Sequence, residues 1–370
     1  MKRRTFSESQ RIVLKIGSSS LTGTHGAGLD GTAVEKLVAI VADLRAKGKE
    51  VVVVSSGAIA AGLAPLGLHS RPKDLATQQA AASVGQGLLI HRYTEAFGAK
   101  GITASQVLLT IEDIVRRSHY QNAQRTLFRL LQLGVVPVIN ENDSVGTQEI
   151  RFGDNDRLAA LVSHLIGADL LVLITDIDAL YDRDPSEPNS TPVREVKDIR
   201  ALNEKSFGGA GSEVGSGGMV TKIEAARIST EAGIPMLLVA LSDISSAVDG
   251  GEVGTYFVAA DARKPSRLLW LAHAATPRGT LILDNGAVTA LRERGVSLLP
   301  AGVTGVTGDF SAGDTVDLVS ESGEVIARGL VGFDSDEIPV MLGRSTKDLA
   351  RELGPEYERE LVHRDDLVLL

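Results

Sequence analysis

From residue 11 to about residue 238 the chain alternates short continuous apolar runs with longer stretches whose apolar residues recur every three or four positions. The short runs, residues 12–16, 51–54, 135–139, 170–174 and 236–239, predict five strands. Apart from Lys15 they are apolar on both faces, as expected of central strands covered by helices on either side. Between the first two, Val34, Leu37, Val38, Val41 and Leu44 recur at helical spacing, and Gly48 supplies a stop. Leu127, Leu130, Leu131 and Leu133 before Gly134, and Leu158, Leu161, Val162, Leu165 and Ile166 before Gly167, predict two more helices, each feeding the next strand. This β-then-α order gives an α/β domain with an open, mostly parallel sheet sandwiched by helices.

Beyond about Lys264 the pattern changes to short strands at 280–283, 315–319 and 325–332, separated by turn signals such as Ser311-Ala312-Gly313 and Ser322-Gly323. A small, mainly β domain is expected there. The polar stretch 260–267 marks the boundary, giving domains over residues 1–265 and 275–370.

Composition narrows the class. A length of 370 residues suits two domains, and 43% hydrophobic with 23% charged residues describes an ordinary globular protein. Cysteine is absent, so disulfides, thiolate metal sites and cysteine nucleophiles are excluded. No apolar run reaches 18 residues, and Lys2, Arg3, Arg4, Glu8 and Lys15 break up the beginning of the chain. Neither a membrane span nor a secretory signal is expected, and the expected location is the cytoplasm. The net charge is −9, and residues 276–370 alone carry nine Lys plus Arg against seventeen Asp plus Glu, a net of −8. An acidic tail argues against tracking along nucleic-acid phosphates.

Several motif matches fail on context. Gly26, Gly28 and Gly31 fit a dinucleotide-binding pattern, but the first strand ends some ten residues too early. His363-Arg364-Asp365 resembles a kinase catalytic loop, yet Leu370 stands where its asparagine is needed. There is no P-loop, and the seven histidines have no paired spacing, so no chain-borne metal site is expected.

Four polar clusters fall where strands end, the place where open α/β sheets bind ligands. The first is Lys15-Ile16-Gly17-Ser18-Ser19-Ser20, a lysine closing a strand before a glycine and hydroxyls; the bland alternative is a lysine that snorkels to solvent. The second, Ser55-Ser56-Gly57-Ala58, offers a tight turn and a helix N-terminus to an anion, or merely a helix cap. In the third, Asn140-Glu141-Asn142-Asp143 and Gly153-Asp154-Asn155-Asp156 hold more polar groups than capping requires, suiting them to bind an ammonium, orient lysines or hold Mg²⁺. The fourth pairs Thr175-Asp176 with Gly215-Ser216-Gly217-Gly218-Met219-Val220-Thr221-Lys222, read as a glycine-rich turn opening a helix. A lysine at a helix start opposes the helix dipole, which points to an anion partner for Lys222. Two lysines, an acidic cluster and an anion cradle are the means of phosphoryl transfer by positioning and charge. A carboxylate acceptor is already ionised near pH 7 and needs no catalytic base.

KIGSS, SSGAIAAG, VINENDSV, GDNDRLAA, LITDIDALY with Asp184-Pro185, and GSGGMVTK together resemble the amino-acid kinase family over most of residues 11–240. The stretches VTGDFSAGDTVDLV, VIARGLVGFDSDEI and VHRDDLVLL resemble a PUA domain. The resemblance implies an amino-acid kinase fold followed by a PUA domain, and ATP-dependent phosphorylation of the γ-carboxylate of L-glutamate at the first step of proline biosynthesis. It implies ATP and Mg²⁺ as cofactors, proline as feedback inhibitor, glutamyl phosphate reductase as functional partner, and a homo-oligomer. It assigns Lys15 and Lys222 to the phosphoryl group in flight and Asp156 to orienting both. Glutamate would be held by Ser56, Asp143 and Asn155, with Asp143 on the α-ammonium and the other two on carboxylate oxygens. The nucleotide would meet Lys15, Thr175, Asp176 and the segment Ser216, Gly217, Gly218, Met219, Val220, Thr221 and Lys222. Ser216 replaces a common threonine and Ala179 a common glycine, which touches nucleotide contacts only.

Acetylglutamate, aspartate and uridylate kinases share the two-lysine logic, so the fold alone leaves the acceptor open; the PUA tail and VINEND favour glutamate. An RNA-modification accessory role would want a basic surface, which the net of −8 opposes while leaving room for a local patch around Arg292 and Arg294, and a catalytically dead proline sensor would require loss of Lys15, Asp156 or Lys222, all three of which are present.

Overall fold

The computed structural model describes residues 6–22, 28–110, 113–114, 117–144, 154–183, 185, 187, 189–202, 216–260, 271 and 277–370. The chain divides into two compact units, Met1–Arg263 and Lys264–Leu370.

In the first unit the strands are β1 (Arg11–Ile16), β2 (Glu50–Ser55), β3 (Ala104–Leu109), β4 (Val136–Glu141), β5 (Leu170–Thr175), β6 (Leu180–Tyr181), β7 (Pro192–Val193), β8 (Glu195–Val196), β9 (Met236–Ala240) and β10 (Thr255–Phe257). Eight of them form one sheet in the order β3-β4-β2-β1-β5-β9-β10-β8, parallel throughout except where β10 meets β9; β6 and β7 pair as a separate hairpin. The five strands that sequence pattern predicts are the five consecutive central ones. Burial on both faces is what makes them continuous apolar runs, and β5 is buried at every position. The edges escaped because their sequences are mixed: β3 reads ASQVLL with an exposed Gln106, while β8 and β10 have two and three residues.

The register aligns the C-terminal ends that matter. Lys15 lies between Val54 and Leu173, and Ile16 between Ser55 and Ile174, so the residues after β1, β2 and β5 emerge side by side. The helix Gly31–Ala46 buries Val34, Leu37, Val38, Val41 and Leu44 as expected, with Asp30 accepting from the backbone N–H of Thr32 at 2.9 Å as its N-cap.

A second contact depends on two glycines. The helix Leu75–Gly98 crosses the short helix Ala58–Leu63 so closely that a Cβ on Gly85 would stand 1.8 Å from the carbonyl oxygen of Ala58, and one on Gly62 would stand 1.9 Å from that of Ala81. Only backbone without a side chain permits this approach. The same long helix buries Tyr93, whose hydroxyl meets the hydroxyl of Ser55 at 3.0 Å; burial pushes the phenol pKa up, partly opposed by that hydrogen bond.

The second unit carries β11 (Gly279–Leu283), β12 (Val303–Gly308), β13 (Thr315–Ser320), β14 (Val325–Leu330) and β15 (Leu367–Leu369) in the sheet order β12-β11-β13-β14-β15. Its core includes Leu281, Val316, Leu318, Phe333, Ile338 and Val362. β12 and β15 were not expected, because VTGVTG carries two glycines on a half-exposed strand and β15 has three residues. Arg292 pairs with Glu324 at 2.6 Å, which neutralises part of the small basic patch noted in the sequence.

Candidate functional site

At the end of β1 the Lys15 side chain does not snorkel outward. It is 4% exposed and its ammonium stands 2.5 Å from Oδ1 of Asp156, which is fully buried. Asp156 is the third residue of the helix Asp154–Leu165. Its other oxygen, Oδ2, accepts from the hydroxyl of Thr221 at 3.0 Å and lies 3.4 Å from the ammonium of Lys222. One carboxylate, brought from between β4 and β5, therefore joins the lysine at the end of β1 to the lysine of the helix Ser216–Glu231.

Electrostatics fix the charge states. Burial would push the carboxyl of Asp156 upward, but the charges of Lys15 and Lys222 and hydrogen bonds from Lys15 and Thr221 outweigh it and hold the group below the usual carboxylate range. Burial lowers the Lys15 pKa, Asp156 opposes that shift, and the nearby charge of Lys222 adds to it. Asp156 is thus an anion that keeps two mutually repelling ammonium groups in one place. Lys222 is the more accessible, its side chain 16% exposed against 5% for Lys15.

The expected glycine-rich turn takes a different form. Ser216, Gly217, Gly218, Met219 and Val220 are already helical, and Lys222 is the seventh residue of the helix Ser216–Glu231. The dipole acts within the first turn, so the dipole argument for Lys222 does not apply. What holds the lysine is Asp156 together with the carbonyl oxygen of Gly218, which accepts from Lys222 and from Thr221, each at 3.1 Å. Two adjacent glycines read as a turn because each costs about 1 kcal/mol in a helix interior; at a helix N-terminus they leave the free N–H groups uncovered. The side chain of Ser216, and Gly153, Asp184 and Gly215 of the same motifs, lie outside the described residues.

Thr175 and Asp176 close β5, where the buried Thr175 hydroxyl donates to Asp176 at 2.8 Å and Asp176 is exposed. On the other side of β1, Gly57 takes a φ of 104°, the left-handed turn that lets the chain leave β2 and start the helix Ala58–Leu63. Ser56 is tied to β1 through its N–H, which donates to the carbonyl of Ile16 at 3.1 Å. Asp143 follows β4 and is half-buried.

Asn155 sits beside Asp156, and its amide nitrogen donates to Oδ1 of Asn140 at 3.1 Å. Among the described residues its own Oδ1 is buried without a hydrogen-bond partner. A buried acceptor left unpaired costs about 1–3 kcal/mol, so this atom calls for a donor. Asn140, in turn, donates to Gln86 at 2.7 Å. The sequence reading missed Gln86, since a glutamine inside a helix carries no local signal. It also missed the ion pair between Arg157 and Glu224, at 2.5 Å, which links the helices bearing Asp156 and Lys222.

Among the described residues no three His, Cys, Asp or Glu side chains converge as a metal site, and no helix is long and apolar enough to cross a membrane.

A model of the amino acid kinase family matches residues 10–240, and a PUA domain model matches residues 279–353. The chain is 58% identical over 369 residues to a protein named glutamate 5-kinase from Streptomyces coelicolor, covering 100% of this chain and 98% of that one. It is 59% identical over 369 residues to the glutamate 5-kinase of Salinispora arenicola, covering all of both, and 57% identical to that of Thermobifida fusca over 100% of this chain and 95% of the relative. Among solved structures, a carbamate kinase from Giardia lamblia bound to AMP-PNP covers 69% of the chain at 19% identity with a TM-score of 0.49.

Proposed function

The chain belongs to the amino acid kinase family, and we propose that it transfers the γ-phosphoryl group of ATP to the γ-carboxylate of L-glutamate, releasing ADP and glutamate 5-phosphate. The observation that carries this reading is the buried bridge from Lys15 through Asp156 to Lys222. In such a transfer an ionised carboxylate oxygen attacks phosphorus, the bond from phosphorus to the β,γ-bridging oxygen breaks, and the electron pair leaves with ADP. No proton has to move, which matches a site built on cations and not on a general base.

The obstacle is electrostatic, because an anionic acceptor must approach an anionic phosphoryl group. Two ammonium groups held by one carboxylate offset that repulsion and meet the charge spread over the phosphoryl oxygens. Without Asp156 the lysines would repel each other. With it, both are set before the substrates arrive, so little reorganisation is left for the reaction itself. Thr175, Asp176 and the N-terminus of the helix Ser216–Glu231 would take the nucleotide, its free N–H groups suiting phosphate. Ser56, Asp143 and Asn155 would take glutamate. The described residues offer no three-ligand cage, so Mg²⁺ enters this reading as the ion an ATP molecule carries on its own phosphates.

A place in proline biosynthesis follows from the relatives' name; a cytoplasmic location, proline as feedback inhibitor, glutamyl phosphate reductase as functional partner and a homo-oligomeric state are part of the proposal. The test is ADP release from ATP and Mg²⁺ across L-glutamate, N-acetylglutamate, aspartate and UMP. Release with L-glutamate alone supports the reading; release with another acceptor only, or with none, rejects it.

A further inference from the structure

Thr221 and Lys222 are neighbours on the helix Ser216–Glu231, and both reach the same oxygen of Asp156. Oδ2 lies 3.0 Å from the Thr221 hydroxyl and 3.4 Å from the Lys222 ammonium, while Oδ1 is 2.5 Å from the ammonium of Lys15. The carboxylate is therefore shared unequally. Lys15 has a short contact to an oxygen of its own, whereas Lys222 has a long contact to an oxygen that a hydroxyl already serves. An ionised carboxylate can only accept, so the hydroxyl is the donor in that bond. With a charged acceptor such a bond is roughly twice as strong as one between neutral groups.

The proton count separates the two neighbours. Thr221 is buried and has one proton, and the two acceptors within its reach, Oδ2 of Asp156 and the Gly218 carbonyl at 3.1 Å, both belong to the protein. Lys222 has three protons, and among the described residues its partners are Oδ2 and the same Gly218 carbonyl, at 3.1 Å. It is also the more accessible of the two lysines. Lys222 can thus turn towards an incoming anion, and Thr221 cannot.

We propose that Thr221 is a positioning residue and not a nucleotide contact: its hydroxyl keeps Oδ2 of Asp156 hydrogen-bonded when Lys222 turns its protons to the transferring phosphoryl group. This rests on the reading that Lys222 meets that group. Without the hydroxyl, Lys222 is the single donor to Oδ2 among the described residues, and every proton it turns to phosphate leaves a buried carboxylate oxygen unpaired. Asp156 would then compete with the phosphoryl group for one ammonium. With the hydroxyl in place Oδ2 keeps a donor throughout, and Lys15 stays on Oδ1. The competition bears on the step in which charge spreads over the phosphoryl oxygens, so its cost falls on turnover more than on binding. Thr221 thereby leaves the nucleotide set that the family resemblance gives it.

The test compares the full-length wild type with Thr221→Val, which replaces the hydroxyl by a methyl group, and Thr221→Ser, which keeps it. Thr221→Val is expected to lower kcat by about tenfold or more while the Michaelis constants for ATP and L-glutamate stay within about threefold; Thr221→Ser restores all three to within about threefold of wild type. A second readout is the urea midpoint, measured with and without Lys222→Ala. With Lys222 gone the hydroxyl is the remaining donor to Oδ2, so Thr221→Val should lower the midpoint by about twice as much or more in Lys222→Ala as in the wild-type background. Loss of folding in the double variant alone is the extreme form of that larger fall. An unchanged kcat, a rise in the ATP KM that matches or exceeds the fall in kcat, a serine variant as impaired as the valine one, or equal midpoint falls in the two backgrounds would each overturn the proposal. If Thr221→Val does not fold, Thr221→Ala takes its place with the same expectations. Failure of the underlying reading is distinct, since the wild type would then release no ADP with glutamate, or Lys222→Ala would keep the wild-type kcat.

Discussion

Lys15 and Asp156 form an ion pair of 2.5 Å in which the two side chains are only 5% and 1% exposed. A lysine in that position would not be kept for stability alone, because desolvating two charges offsets most of what their attraction returns. The pair earns its place by presenting a fixed ammonium at the end of β1, with Lys222 on the other oxygen of the same carboxylate.

Asp156→Asn is expected to abolish most activity and to destabilise the protein by about 3–5 kcal/mol, since it leaves Lys15 buried without its counterion. Adding Lys15→Met should recover much of the stability and none of the activity. Urea denaturation of the two single variants and the double variant checks this; additive losses in the double variant would contradict it.

The same pair gives a pH signature. Asp156 is held below the ordinary carboxylate range, so its contribution is full above about pH 4 and is lost as pH falls through the folded value. The depressed Lys15 runs the other way: the burial cost of its ammonium is felt below its folded value and relieved as pH rises from there towards about 10.4. The stability gap between wild type and Asp156→Asn should therefore be wide at neutral pH and narrow in acid below about pH 4. Thermal melts across that range measure it, and a constant gap would count against an ionised Asp156.

Lys222→Ala should lower kcat by on the order of 10² or more, the usual cost of losing one preorganised charge stabiliser, with a smaller change in the glutamate KM. Steady-state kinetics decide it, and unchanged turnover removes Lys222 from the chemistry.

Asp143→Asn, at the half-buried position after β4, is expected to raise the KM for glutamate more than that for ATP. Equal changes in the two constants would place Asp143 elsewhere in the mechanism.

Gly85→Ala should destabilise the protein by about 1–3 kcal/mol, because the added methyl group would fall 1.8 Å from the carbonyl oxygen of Ala58 and force the two helices apart. Denaturation midpoints at equal m-value would show it; a neutral effect would mean that the crossing is looser than described.

Much of this was legible from pattern alone, for a physical reason. Strands buried on both faces must be apolar throughout, so β1, β2, β4, β5 and β9 announce themselves, while a half-exposed edge such as β3 has no such constraint. Lys15 stood out because a charge inside an apolar run needs a partner, but the run cannot say that the partner is Asp156, which arrives from another part of the chain. Lys222 was singled out by a dipole argument that the helix beginning at Ser216 does not support. Gln86 was invisible: its hydrogen bond to Asn140 joins residues 54 positions apart, a relationship that exists only in three dimensions.

The most direct measurement uses L-glutamate labelled with heavy oxygen in its γ-carboxylate, with ATP, Mg²⁺ and hydroxylamine. If a glutamate carboxylate oxygen attacks the γ-phosphorus, hydroxylamine will capture the acyl group as a hydroxamate and release phosphate that carries one heavy oxygen. Hydroxamate together with labelled phosphate is the predicted result. ADP and phosphate without the label, or with no hydroxamate, would contradict transfer to the γ-carboxylate.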